Sequence, residues 1–227
     1  MGRRTQEGET LEQYKQRMID PISESYCAAK WYNATIWLGH GQTASCHHPP
    51  GHWIPLEELK DNYTAIHNTK HKKLMRKYMQ EGKRPAECEY CWKVEDMGKN
   101  HVSDRTFKTE IFKDEDVHKS AEMPWDENVM LRTLEISFDR ACNFSCSYCN
   151  PAFSTAWVKD INTYGGYQNI QSDGRGHFVD TADWAKPAAK HEEDNPYIQA
   201  FHKWWDNGLA DNPVSYTHLT LPTIPGV

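Results

Sequence analysis

The stretch CNFSCSYC, Cys142 to Cys149, carries three thiols, with three residues between the first two and two between the last pair. A metal site closed entirely by protein takes four ligands. Three thiolates converging from one short loop instead suit a cubane [4Fe–4S] cluster. Its four irons each want one outer ligand, and cysteine is the usual donor. Cys142, Cys146 and Cys149 would then leave one iron open, and a small molecule could bind there directly. A zinc site completed from elsewhere in the chain is the other reading of the same spacing.

Four more thiols stand outside this loop, at Cys27, Cys46, Cys88 and Cys91. Four is the number for a fully ligated site, and a separated pair plus a C-x-x-C is a common way to wrap a chain around a metal. The plainer readings are a structural zinc site or buried cysteines with no ligand role. His47 and His48, beside Cys46, add imidazoles that zinc accepts.

The elements that position these residues can be sketched from periodicity. Leu134, Ile136 and Phe138 alternate with Glu135 and Ser137, which predicts a strand. After the thiols, Phe153, Ala156, Trp157 and Ile161 fall at helical spacing, with Ser154 or Thr155 as the cap. The loop therefore joins a strand to a helix, the face on which β/α barrels build active sites. Nearer the N-terminus, Trp31-Tyr32 and Thr35-Ile36-Trp37-Leu38 predict strands of a hairpin turning at Gly39-His40-Gly41. His47 to Gly51 breaks the pattern. Asn68 or Thr69 caps a helix with Leu74, Met75, Tyr78 and Met79 on one face, stopped by Gly82 and followed by Pro85. The basic run HNTKHKKLMRK, His67 to Lys77, reads as the solvated face of that helix. Residues 1–20 read as polar surface. The charged span from Gly98 to Met130 reads as a linker or an excursion. Asn195-Pro196 starts a last helix with Tyr197, Phe201, Trp204 and Trp205 on one face, ended by Asn207-Gly208. Trp204 and Trp205 read as core residues, and His177, His191 and His202 as surface or packing residues.

The 227 residues are enough for one or two domains, and nine tryptophans argue against a disordered chain. A formal net charge of −6 removes the bulk electrostatic case for nucleic acid or an anionic membrane. No segment is apolar enough to span a bilayer. The opening MGRRTQEGET has no apolar core to make it a secretory signal, and Gln6 stands where a myristoylation signal wants Ser or Thr. The N-x-S/T triplets at Asn33, Asn62 and Asn143 have no use without a secretory route. The default expectation is a cytoplasmic protein, where thiols stay reduced. An odd count of seven cysteines fits ligands better than disulfides.

Cys142-x-x-x-Cys146-x-x-Cys149, with aromatic Tyr148 before the last cysteine, resembles the CxxxCxΦC signature of the radical S-adenosylmethionine (radical SAM) superfamily. The resemblance implies a [4Fe–4S] cluster on these three cysteines, whose open iron binds the amino and carboxylate groups of S-adenosylmethionine, with Tyr148 against the adenine. Reductive cleavage of that cofactor yields a 5′-deoxyadenosyl radical that abstracts hydrogen from the substrate. The order C … G-x-x-x-x-C … G-x-x-P-x-x-C-x-x-C-W, from Cys27 to Trp92, is similar to a twitch domain. It implies an auxiliary iron–sulfur cluster on Cys27, Cys46, Cys88 and Cys91, with zinc as the alternative. Here that domain would precede the barrel, as in N-terminal-twitch radical SAM proteins. The fold class implied is α/β: a twitch-like metal-binding domain over residues 1–98, a linker over 99–130, and the start of a partial (β/α)6 barrel over 131–213. Implied partners are a peptide or protein substrate and an electron donor such as flavodoxin or ferredoxin.

VSYTHLTLPT, Val214 to Thr223, reads as the translation of a transposase-type sequencing adapter, so residues 214–227 are set aside as a non-native tail. Gly165-Gly166-Tyr167-Gln168 lacks the acidic residue of the family's GGE-type motif and precedes the last helix. The expectation is a fragment with only the first barrel strand, unable to complete an active site alone. Against the radical enzyme stand a zinc-stabilised binding module without catalysis and, last, a ferredoxin-like electron carrier, for which the three-thiol loop lacks a ligand.

Overall fold

The computed structural model describes residues 5–39, 41–98, 101–138, 142–147, 149, 151, 154–166 and 194–212, and the backbone of 215–220. The architecture is mixed α/β. The N-terminal segment forms a short helix α1 (Leu11–Tyr14), capped by Thr10 and continued by a wider turn over Lys15–Ile19. It is not polar surface throughout: Tyr14, Met18 and Ile19 are buried in the core. Helix α2 (Ala29–Tyr32) leads into strand β1 (Asn33–Trp37), then β2 (Gln42–Ala44) and β3 (His52–Trp53). Trp31 and Tyr32 were expected in a strand and are helical. Tertiary packing overrides their β-propensity, because the Trp31 ring lies 5.2 Å from that of Tyr26 in the core.

Helix α3 (Leu56–Asp61) precedes α4 (Lys70–Gln80), whose N-cap is Thr69, with Thr69 Oγ1 accepting from Lys72 N. Gly82, at φ +73°, ends the turn after α4, a conformation that glycine adopts without strain. The face that α4 buries is the expected one only in part. Leu74 is exposed, while Lys72, Met75, Arg76 and Met79 are buried, so two cations of the basic run lie in the interior while Lys70 and His71 stay exposed. It can be so because each cation finds acceptors. Lys72 Nζ donates to Asn33 O (2.8 Å), and Arg76 to Lys30 O, Glu127 O and Asn68 Oδ1 (3.0–3.1 Å).

Helix α5 (Glu89–Asp96) carries Cys91 and Trp92 inward, and the Trp92 indole donates to Pro85 O at 2.8 Å. The span expected to be a linker holds two packed helices, α6 (Asp104–Glu110) and α7 (Asp114–Glu122). Its few apolar side chains, among them Phe112 and Val117, join the core around Tyr26, Trp31 and Trp92. Buried threonines do the rest, with Thr109 Oγ1 accepting from Ala28 N at 3.1 Å. A low apolar count therefore concealed a structural segment.

Strand β4 (Thr133–Ser137) buries Leu134 and Ile136. Helix α8 (Thr155–Tyr164) buries Trp157 and Ile161, and Ser154 is its cap. Helix α9 (Pro196–Trp204) follows Asn195, whose Oδ1 accepts from Tyr197 N and Ile198 N. Trp204 is fully buried, whereas Trp205 is half-exposed. The backbone of Ser215–Thr220 forms β5. The sheet order is β3-β2-β1-β4-β5. β2 and β3 are antiparallel. β1 and β4 run parallel, with Arg132 N donating to Tyr32 O and Leu38 N to Ser137 O, both at 2.8 Å.

Among the described residues the sheet is open, and β4, expected as a lone barrel strand, has neighbours on both sides. The residues set aside as adapter translation supply one of them. Their alternating Tyr, Thr and Leu content is β-prone, and an open edge pairs with any such backbone, so the pairing does not bear on their origin. By contacts the chain divides into two units. One holds residues up to Ile36, Gln42–Glu135 and Ala200–Thr217; the other holds Trp37–Gly41, Ile136–Gln199 and the residues from His218 on. No helix among the described residues is long and apolar enough to cross a membrane.

Candidate functional site

In the first unit, Cys27, Cys46, Cys88 and Cys91 line one cavity of about 20 Å³. That exceeds what one water needs by the same measure. The four thiols arrive from different places: the turn before α2, the end of the β2 segment, the single turn before α5, and α5 itself. Cys27 and Cys91 are buried, Cys46 and Cys88 half-buried. Ala29, Lys30, Met79, Trp92 and Arg105 are among the residues that complete the wall.

Two buried ion pairs brace this cavity. Lys30 Nζ bonds Glu87, which also accepts from His71 Nε2 at 2.6 Å. Arg105 is fixed by Glu95 (2.6 and 2.8 Å) and by Tyr26 O (2.8 Å). Burial opposes the Lys30 charge, but Cys88 and Glu87 outweigh it and hold its pKa above the ordinary lysine value. Burial also raises Glu87, yet His71 and Lys30 bring it down to about 2.

Burial pushes the Cys27 thiol up to about 12, reinforced by Cys46, Cys88 and Cys91. It raises Cys88 to about 11 against the pull of Lys30, and raises Cys46 and Cys91 as well. Four thiolates together in this space repel one another and lack solvent. A positive centre among them would reverse that balance, so any metal uptake here must release protons.

Among the described residues only His47, His48 and Asp104 bring three metal-ligating atoms within 4.8 Å of one another. No three cavity thiols are that close. Around a single zinc ion with Zn–S about 2.3 Å, tetrahedral thiolates stand about 3.8 Å apart. A cubane seats each thiolate on a separate iron and so spaces them more widely.

In the second unit, Cys142, Cys146 and Cys149 lie on the loop between β4 and α8, partly buried like Cys46 and Cys88. The first turn of α8 holds this loop. Cys142 O accepts from Thr155 Oγ1 (3.0 Å) and Ala156 N (3.1 Å), Phe144 O from Ser154 Oγ (2.7 Å), and Cys146 O from Trp157 Nε1 (3.0 Å). Cys142 N donates to Thr155 Oγ1 at 3.0 Å, and Cys149 N to Cys146 O at 2.9 Å. The backbone of the loop is thus pinned. Tyr148 and Phe153 lie outside the described residues, as do Tyr167 and Gln168 of the GGYQ segment.

Sequence reasoning did not single out Lys30, Glu87, Glu95, Arg105 or Asp104. Their roles depend on which segments meet across the core, and no local spacing announces that. Comparison with protein-family models, with curated proteins and with solved structures gives no match for this chain.

Proposed function

We propose that the chain is a radical SAM protein with two iron–sulfur sites. The first is a [4Fe–4S] cluster on Cys142, Cys146 and Cys149, with one iron left for S-adenosylmethionine. The second is an auxiliary cluster on Cys27, Cys46, Cys88 and Cys91. The observation that carries the reading is the three-thiol loop, tied at its carbonyls to the first turn of α8. Three cysteines on one anchored loop, with no fourth in it, suit a cluster that receives an outside ligand. When bound, the cluster and S-adenosylmethionine supply a 5′-deoxyadenosyl radical for hydrogen abstraction. A peptide or protein is the substrate class that the resemblance implies. The residues' own work is to hold the cofactors in register and limit side reactions.

The auxiliary site draws support from the four thiols that line one cavity after arriving from four separate segments. The test is anaerobic reconstitution of the full chain with iron and sulfide. Iron and zinc are counted, and EPR of the reduced sample is recorded with and without S-adenosylmethionine. About eight irons per chain, four per cubane, with one signal moved by S-adenosylmethionine, is the expected result. Stoichiometric zinc with no cluster would instead leave a zinc-stabilised binding module.

A further inference from the structure

The geometry points to a separate mononuclear site: we infer that His47, His48 and Asp104 bind one divalent first-row metal ion through two imidazoles and a carboxylate. The two histidines follow Cys46 on an irregular stretch after β2, and Asp104 opens α6. Asp104 Oδ2 lies 2.7 Å from His48 Nε2 and 3.4 Å from His47 Nε2, and one ligand atom from each residue lies within 4.8 Å of the other two. An ion at about 2.0–2.1 Å from nitrogen and oxygen ligands sets tetrahedral donors about 3.4 Å apart. The His47–Asp104 pair already has that separation. The His48–Asp104 pair, a hydrogen bond at 2.7 Å, would need to open by about 0.7 Å to reach it.

Further features suit a metal better than a plain His–Asp contact. One carboxylate oxygen is shared by two imidazoles, whereas a hydrogen-bonded histidine needs only one acceptor to itself. His48 is clamped by Tyr90, whose ring stacks on it at 3.8 Å and 15°, so its orientation is set before any ion arrives. His47 and Asp104 also border a groove of about 380 Å³ with Phe107, Lys108 and Ile111. Three protein ligands beside an accessible groove leave room for water or a small molecule to complete the coordination. The donor set favours zinc, cobalt or nickel over magnesium or calcium. It contains no thiol, although His48 and Asp104 also border the cysteine cavity.

The test uses cobalt(II) as the probe on the full reduced chain. Cobalt bound to thiolates gives an intense ultraviolet charge-transfer band, and cobalt on nitrogen and oxygen donors gives only weak visible bands. The wild-type chain should take up one equivalent of the second kind. His47→Ala and Asp104→Asn should each weaken that uptake at least about tenfold, since even outer-shell partners of metal ligands cost 10–100-fold. Both should leave the thiolate band and the far-ultraviolet circular dichroism unchanged. Should Asp104→Asn perturb folding, His47→Ala decides alone, because the His47 side chain is 57% exposed. The proposal is overturned if the wild type shows no thiolate-free equivalent, if the variants bind cobalt as tightly, or if His47→Ala diminishes both signals together.

Discussion

Cys27, Cys46, Cys88 and Cys91 reach their cavity from four segments, and the walls between them are set by Lys30–Glu87 and Arg105–Glu95. Cys142, Cys146 and Cys149 share one loop, held by hydrogen bonds to residues 154–157. The first arrangement exists only when the fold around it exists. The second is local, and its order depends on one helix terminus. A long-range site is rigid at the cost of depending on every buried pair that supports it, whereas a local loop keeps its shape through partial opening elsewhere.

The largest effect should follow Arg105→Ala, which strands Glu95 in the interior and removes the bond to Tyr26 O. Breaking such a buried pair costs about 3–5 kcal/mol. Urea unfolding should show the loss. Thiol alkylation mapped by mass spectrometry should show Cys27 and Cys91 becoming reactive while Cys142 and Cys146 label as before. Equal gains at all four would erase the contrast between the regions.

Acid comes next. Burial, with His71 and Lys72 nearby, holds His52 down to about 3, and burial holds His67 well below the ordinary imidazole range. Below about pH 6.5 the unfolded chain takes up protons at these positions that the folded chain refuses, so stability falls with pH, by about 2 kcal/mol at pH 5 for His52 alone. Urea midpoints measured from pH 7 to pH 5 should drop accordingly, and His52→Gln should make the drop smaller while the contribution of His67 remains. A midpoint that stays level would contradict it.

Ser154→Ala tests the local side. The hydroxyl caps α8 at Trp157 N and donates to Phe144 O. Its loss should cost about 1 kcal/mol. Amide exchange should quicken at residues 142–149 and stay slow around Cys27 and Cys91. The smallest effect should come from Lys93→Ala. Lys93 is two residues from Cys91 but pairs with Glu89 in solvent at 3.0 Å, so the change should stay below about 0.5 kcal/mol by thermal melting. A larger loss would mean that proximity to a cysteine in sequence matters more than burial.

The caps Thr69, Ser154 and Asn195 were legible because a polar residue before an apolar period has a local cause. The alternation of Leu134 and Ile136 was legible for the same reason. The grouping of Cys27, Cys46, Cys88 and Cys91 followed from their number and order, and the structure places these four on one cavity. What escaped is non-local. Lys72 and Arg76 look solvated until Asn33 O, Lys30 O and Glu127 O are seen to meet them. Trp31 looks like a strand residue until Tyr26 packs on it. The helices α6 and α7 look like a tether because threonine, serine and arginine fill an interior that apolar counting assigns to leucine. Asp104 becomes a partner of His47 and His48 only once α6 is docked.

The inward-facing cations have a practical corollary. Lys30 and Lys72 place primary amines where a dissolved acylating reagent does not reach, whereas Lys83 and Lys93 stand in the open. Brief acetylation of the native chain should mark the outer pair and pass over the inner one. An acetyl group on Lys30 or Lys72 would then be a lasting record that the molecule had opened.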